Sequence, residues 1–185
     1  MKINLTEIYA QLEVWRDERK ITAESQRQGY IRNVMEELGE LAAGLRDYDS
    51  WSKCDLRFCQ IHKEMAERVI VDAICDISVL TINAGADIRD EYKPLSIDTT
   101  NTFSDLNCLL LYASTFDFKK ILLNCAGVCE KYGFNFEVAM LETIKEISSR
   151  TGSYNEATKK WEKDMSDEAQ AKWYKADYEK ARIKQ

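Results

Sequence analysis

At 185 residues the chain is long enough to bury a core without covalent staples, and its single proline and abundant Ala, Leu, Glu and Lys favour helix nearly throughout. A formal charge of −6 argues against a general grip on nucleic acid, which leans on a basic surface, but admits a nucleotide whose phosphates are met by metal ions. The first residues hold no apolar run of signal-peptide length. The longest apolar stretch, 69–86, carries Asp72 and Asp76, so a cytoplasmic protein without a membrane span is expected.

Leu5, Ile8, Leu12 and Trp15 recur at the helical period and predict a first helix over 4–20, capped by Asn4 or Thr6. A second helix is expected from Thr22 or Ser25 to Tyr48, with an apolar stripe of Ile31, Val34, Leu38, Leu41 and Leu45. Asn33, Glu36, Glu40 and Asp47 fall on its other side, with Glu37 between the two faces. After a turn at 49–53, a third helix covers roughly 54–86, polar in its first half and apolar on every side from Val69 onward, as in a buried helix. Residues 87–98, around Pro94, read as a charged linker.

Bundle helices follow at 101–116, 117–132 and 134–150, and Gly152 breaks the chain. The charged tail, 153–185, is expected to form one short and one longer helix that pack Trp161, Trp173 and Tyr178 onto the body or a second subunit. The fold class is therefore all-α, a single helical bundle with additional C-terminal helices. Six cysteines without a CxxC pair are expected as reduced thiols. Cys59-x-x-His62 has the spacing of half a zinc site, with no second half elsewhere.

Glu36, Glu37 and Glu40 crowd one segment of the second helix, where like charges three or four residues apart cost roughly 0.2–0.5 kcal/mol per pair. Asp72 and Asp76 lie one turn apart in the apolar half of the third helix, and Asn83 continues their face. A buried carboxylate costs several kcal/mol unless it is paired or binds metal, and no Lys or Arg lies within 69–86. For the glutamates alone a solvated helix face is the competing reading; for the aspartates it is pairing with Lys or Arg from a distant helix. Two helices each presenting acids make a cation site the economical answer. All-oxygen ligands suit Mg²⁺, with Mn²⁺ as a substitute. Five acids exceed the needs of one such ion, so two ions, or one ion and a general base, are both open. A di-iron carboxylate bundle would need Glu-x-x-His on two helices, and the chain has one histidine, His62.

Trp15-Arg-Asp-Glu-Arg-Lys20, Val34-Met-Glu-Glu-Leu-Gly-Glu-Leu-Ala42 and Val71-Asp-Ala-Ile-Cys-Asp-Ile77 together resemble the MazG-like all-α nucleoside triphosphate pyrophosphohydrolases, whose EExxE and ExxD motifs bind Mg²⁺. The resemblance covers residues 10–86. It implies cleavage of a nucleoside triphosphate to the monophosphate and pyrophosphate, with Glu37, Glu40 and Asp76 as metal ligands and Glu36 as ligand support or water activator. The Glu of the second motif is Ala73 here, and Asp72, one residue earlier, stands in for it. Asn83 matches a polar position that contacts metal or substrate. More loosely, 137–163 is similar to the tails of phage-type members, which would put Ser149, Arg150 and Lys163 on the phosphates. A homodimer or dimer of dimers, with a base pocket between helices, is also implied; no motif selects the base. The alternative functions are a non-catalytic helical interaction module that kept the fold, and hydrolysis of a related phosphoanhydride such as phosphoribosyl-ATP.

Overall fold

Two long helices, α2 (Ala23–Trp51) and α3 (Arg57–Asn83), run antiparallel and carry the fold. The pairing is fixed at one end and in the middle. Arg27 Nε donates to the Ala84 carbonyl at 2.6 Å, Tyr30 and Thr81 share a hydroxyl hydrogen bond of 2.9 Å, and Gly44 lies against Ile70. A Cβ at Gly44 would meet Ile70 Cγ1 at 2.9 Å, so this glycine lets the helices approach. The computed structural model describes residues 2–89, 92–95, 103–158 and 160–184.

Around this pair lie α1 (Thr6–Glu18), α4 (Ser104–Ser114), α5 (Phe118–Lys131) and α6 (Phe136–Ser149), with α3 packed against α1, α2, α5 and α6. Thr22 caps α2 by accepting from the Ser25 N–H, and the Asn4 side chain accepts from Thr6 N–H before α1. Val34, Leu38, Leu41 and Leu45 are buried as their period requires. Ile31 is not: it is 41 % exposed, and Tyr30, 1 % exposed, takes its place because its hydroxyl finds Thr81. The chain is mostly helical, and no helix among the described residues is long and apolar enough to cross a membrane.

The described parts of 87–98, between α3 and α4, are tied to the body: Ile3 and Tyr92 exchange backbone hydrogen bonds of 2.7 and 3.0 Å, and Leu95 N–H donates to the Leu123 carbonyl. Residues 90, 91 and 96–102, which include part of that segment and the start of the helix expected at 101, lie outside the described residues. The tail does not form a longer helix. It opens with an antiparallel hairpin, β1 (Gly152–Asn155) and β2 (Lys160–Lys163), in the register Gly152↔Lys163 and Tyr154↔Trp161. One turn of helix, α7 (Asp167–Gln170), and a 3-10 turn, Tyr178–Ala181, follow. Finally, Cys54 and Cys59 are bonded to each other across the α2–α3 turn instead of remaining reduced, which also removes Cys59 from any zinc half-site.

Candidate functional site

The helix α3 is buried on all sides from Ile70 to Asn83 except along one line. Asp72, Asp76 and Leu80, at steps of four, are half-buried while their neighbours are closed off. Four residues advance a helix by slightly more than one turn, so the three share one face. From Asp76 onward that face opens into a cleft of about 940 Å³, walled by α2, α3, the ends of α1 and α6, and the hairpin. Ala73, which stands at the position of the motif's Glu, is 1 % exposed and points into the core. A glutamate there would be buried with apolar side chains, so the open line through Asp72 is the face on which this chain can present an acid.

From α2, Glu37 enters the cleft wall beside Asn33 and Arg32, while Glu36 and Glu40 are exposed and stand outside it. Burial, then the charges of Glu40, Asp72 and Glu36, push the Glu37 carboxyl up to about 7, against an opposing pull from Lys163. Burial, Asp72 and Glu37 push Asp76 up to about 8. Asp72 is also raised, by burial against the hydrogen bond it accepts from Tyr178. The acids of the two helices are thus in one electrostatic neighbourhood. Arg150 and Lys163 approach Asp76 from outside α3, but among the described residues neither closes an ion pair with it.

The cations come from sequence-distant elements. Arg150 caps α6, binds Glu146 at 2.8 Å and keeps a buried Nε without a partner among the described residues. Lys163 ends β2 in the cleft wall, its amine pulled down by burial and by Arg150, with Asp76 and Glu37 opposing. Lys20, Arg32 and Lys160 complete the basic wall. Asn83 lines the same cleft at 1 % exposure, and its Oδ1 has no hydrogen-bond partner among the described residues. A buried unpaired acceptor costs roughly 1–3 kcal/mol, so a cleft-lining one is a place where a ligand donor would be rewarded.

Of the expected site residues, then, the structure brings Glu37, Asp76, Asn83, Arg150 and Lys163 into one cavity. Asp72, Glu36 and Glu40 stand outside its lining and reach Glu37 through charge. Ser149 faces elsewhere: its hydroxyl donates to the Glu146 carbonyl and accepts from Tyr174 N–H, each at 2.8 Å. The sequence reading did not single out Arg19, Arg32, Asn33, Tyr154 or Lys160 as cleft residues. Asn33 was visible on the acid face of α2, and Arg19 stands in the Trp15–Lys20 segment of the resemblance. Nothing local marks Tyr154 or Lys160, which the hairpin delivers.

Among the described residues no three His, Cys, Asp or Glu side chains group tightly enough to cage a metal ion. The donor set fits a hard cation of a different habit. Mg²⁺ takes one or two protein carboxylates and fills its remaining positions with water and phosphate oxygens. Glu37 and Asp76 are the two carboxylates of the cleft lining that would supply that share. Chemically the cleft offers two acids, several cations, an unsatisfied carboxamide and the rings of Trp15, Tyr154 and Trp161. Such a lining is polar and charged rather than apolar. Comparison of the chain with protein-family models, curated proteins and solved structures gives no significant match to any of them.

Proposed function

We propose that the chain is a Mg²⁺-dependent hydrolase of nucleoside triphosphates, giving the monophosphate and pyrophosphate. The observation that carries the reading is that Glu37, Asp76, Asn83, Arg150 and Lys163, chosen for phosphate and metal chemistry, line one cleft. In a chain of net charge −6, a cleft rich in Lys and Arg calls for an anionic ligand. The sequence resemblance to the MazG-like family supports the choice of bond, and nothing in the cleft selects the base.

In this reading Glu37 and Asp76 hold the cation, with Asp72 and Glu40 supplying negative charge beside them. The ion's part, when bound, is to neutralise phosphate charge and acidify water. Lys163 and Arg150 pair with the phosphate oxygens; the unpartnered Nε of Arg150 is already desolvated for that purpose. Asn83 accepts a hydrogen bond from the nucleoside. Glu36, one residue before Glu37 and exposed to water, accepts the proton of the attacking water. The assembly proposed is a homodimer or dimer of dimers.

The test is pyrophosphate release from a panel of ribo- and deoxynucleoside triphosphates with Mg²⁺, for wild type, Glu37→Gln and Glu36→Gln. Both variants should fall by at least about 100-fold in kcat/KM, and Mg²⁺ affinity by calorimetry should drop for Glu37→Gln alone. Absence of pyrophosphate release from every nucleotide, with Glu37→Gln binding Mg²⁺ as wild type does, would leave the helical interaction module as the better reading.

A further inference from the structure

The last turn of the chain closes over α3 at the acid line. Tyr178 is buried, and its hydroxyl donates to Asp72 Oδ1 at 2.6 Å. The same hydroxyl lies 3.0 Å from Thr143 Oγ1 on α6. A phenol has one proton, and an ionised carboxylate can only accept. With Asp72 ionised, the Tyr178 proton is therefore committed to it, and Thr143, whose hydroxyl also lies 3.1 Å from the Ala139 carbonyl, shares its one proton between that carbonyl and the Tyr178 oxygen. The strap thus fixes one oxygen of Asp72, and among the described residues the other accepts no hydrogen bond.

The strap is not a loose end. Arg182 binds Glu67 of α3 at 2.7 Å, Asn135 N–H donates to the Ala181 carbonyl at 2.7 Å, and Ile183 N–H to the Gly133 carbonyl at 2.8 Å. Tyr174, before Tyr178, and Lys180, after it, both meet the buried Glu142 of α6. These anchors bracket Tyr178 on both sides, so its ring has a fixed place. They also bear on the departure at Ala73. Aspartate at 72 is shorter than glutamate and sits one residue earlier, so its reach depends on being held at the right rotamer.

We propose that the C-terminal strap belongs to the cation site, with Tyr178 as a positioning residue that orients Asp72 beside Glu37 and Asp76. The inference rests on the cation reading of the cleft. Outer hydrogen bonds to metal ligands are typically worth 10–100-fold in metal affinity, and Tyr178 acts at the lower end of that range because Asp72 bears on the cation through its charge beside Glu37 and Asp76.

The experiment is Mn²⁺ binding to the full-length chain by electron paramagnetic resonance, with thermal unfolding in chelator as a separate readout. Wild type, Tyr178→Phe, Asp72→Asn and the double variant are compared. Tyr178→Phe should bind Mn²⁺ about 10-fold more weakly, and the double variant should be no weaker than Asp72→Asn. A purely structural tyrosine would lower the unfolding temperature in chelator and leave Mn²⁺ affinity alone. Unchanged affinity in Tyr178→Phe, or losses that add in the double variant, overturns the proposal. If wild type binds no Mn²⁺ at all, the cation reading falls with it; if wild type binds and Tyr178→Phe is unaffected, only the role of the strap falls. Should Tyr178→Phe not fold, Thr143→Val carries the test. It should lie between wild type and Asp72→Asn, and wild-type affinity there likewise overturns the proposal.

Discussion

Trp161 of the hairpin lays its ring on the guanidinium of Arg19, 5.1 Å from ring centroid to the central carbon, while Trp15 packs the other contact at 4.9 Å. Arg19 is 5 % exposed and also donates to the carbonyls of Trp15, Ser148 and Arg150. One buried cation therefore joins the end of α1, the end of α6 and the hairpin. This junction is what seats Lys163, two residues past Trp161, in the cleft wall. Trp161→Ala should cost about 1–2 kcal/mol, since it removes a cation–π contact and partial ring burial. It should also raise KM for the nucleotide by about tenfold, the price of one charge-assisted phosphate contact. Gly152→Ala should do the same by another route, because a Cβ there would overlap the Glu162 carbonyl across the hairpin and touch the Trp161 ring at 3.0 Å. Chemical denaturation and steady-state kinetics read both effects. A destabilised Trp161→Ala with unchanged KM would detach the hairpin from the site.

Glu37 and Asp76 set the pH response of the cation-free protein. Their folded values, about 7 and about 8, lie well above the range near 4 of a free carboxyl. Between those limits the folded chain holds more protons than the unfolded one, so stability falls as pH rises. Their contribution is complete below about pH 4 and gone once pH passes the folded values. Glu142 has the opposite sign. Burial pushes it up, but Lys145, Tyr174, Asp177 and Lys180 outweigh that and hold it at about 2. Its contribution is lost only as pH drops below about 4.5, outside the window of interest. In chelator, unfolding free energy should therefore decline from pH 5 to pH 8, and Asp76→Asn should flatten the decline. Magnesium should protect more strongly at pH 8 than at pH 5, because binding needs the carboxylates ionised. Equal slopes for wild type and Asp76→Asn over that window would refute the account.

The parts legible in the sequence are those set by local periodicity. Val34, Leu38, Leu41 and Leu45 announce the buried side of α2, and the acids at 72 and 76 announce the open line of α3. Tyr30 displaced Ile31 because hydrophobicity alone ignores a hydroxyl that can reach Thr81. The hairpin was not legible. Its strands are four residues each, Gly-Ser-Tyr-Asn and Lys-Trp-Glu-Lys, in a tail whose Lys, Glu and Ala favour helix. What holds them extended is tertiary: Trp161 on Arg19, and Lys20 bound to Glu156 at 2.8 Å and set over the Tyr154 ring. The same limit applies to the cations of the cleft. Lys163 and Arg150 were reached by resemblance, whereas Lys160 and Arg32 became cleft residues through packing that no local pattern encodes.

Asn83 offers the sharpest separation of stability from function. Its carboxamide ends the acid line of α3, buried to 1 % exposure in the cleft wall with Oδ1 unpaired. Holding that acceptor away from water costs the folded chain roughly 1–3 kcal/mol. Leucine has the same branched side-chain skeleton as asparagine and carries no polar atom, so with the cleft beside it to take up the added bulk Asn83→Leu should raise the unfolding free energy by about 1 kcal/mol. If the unpaired oxygen is kept for a nucleoside donor, the same substitution should remove the stabilisation that a non-hydrolysable nucleotide with Mg²⁺ confers on wild type. Asn83→Ala, which opens a cavity as well, should lose that protection without the gain. Thermal unfolding with and without the nucleotide measures both quantities in one series. A less stable Asn83→Leu that still gains wild-type protection from nucleotide would show that Asn83 is an internal structural group, and the base end of the cleft would have to be sought among Arg32, Asn33 and the rings of the hairpin instead.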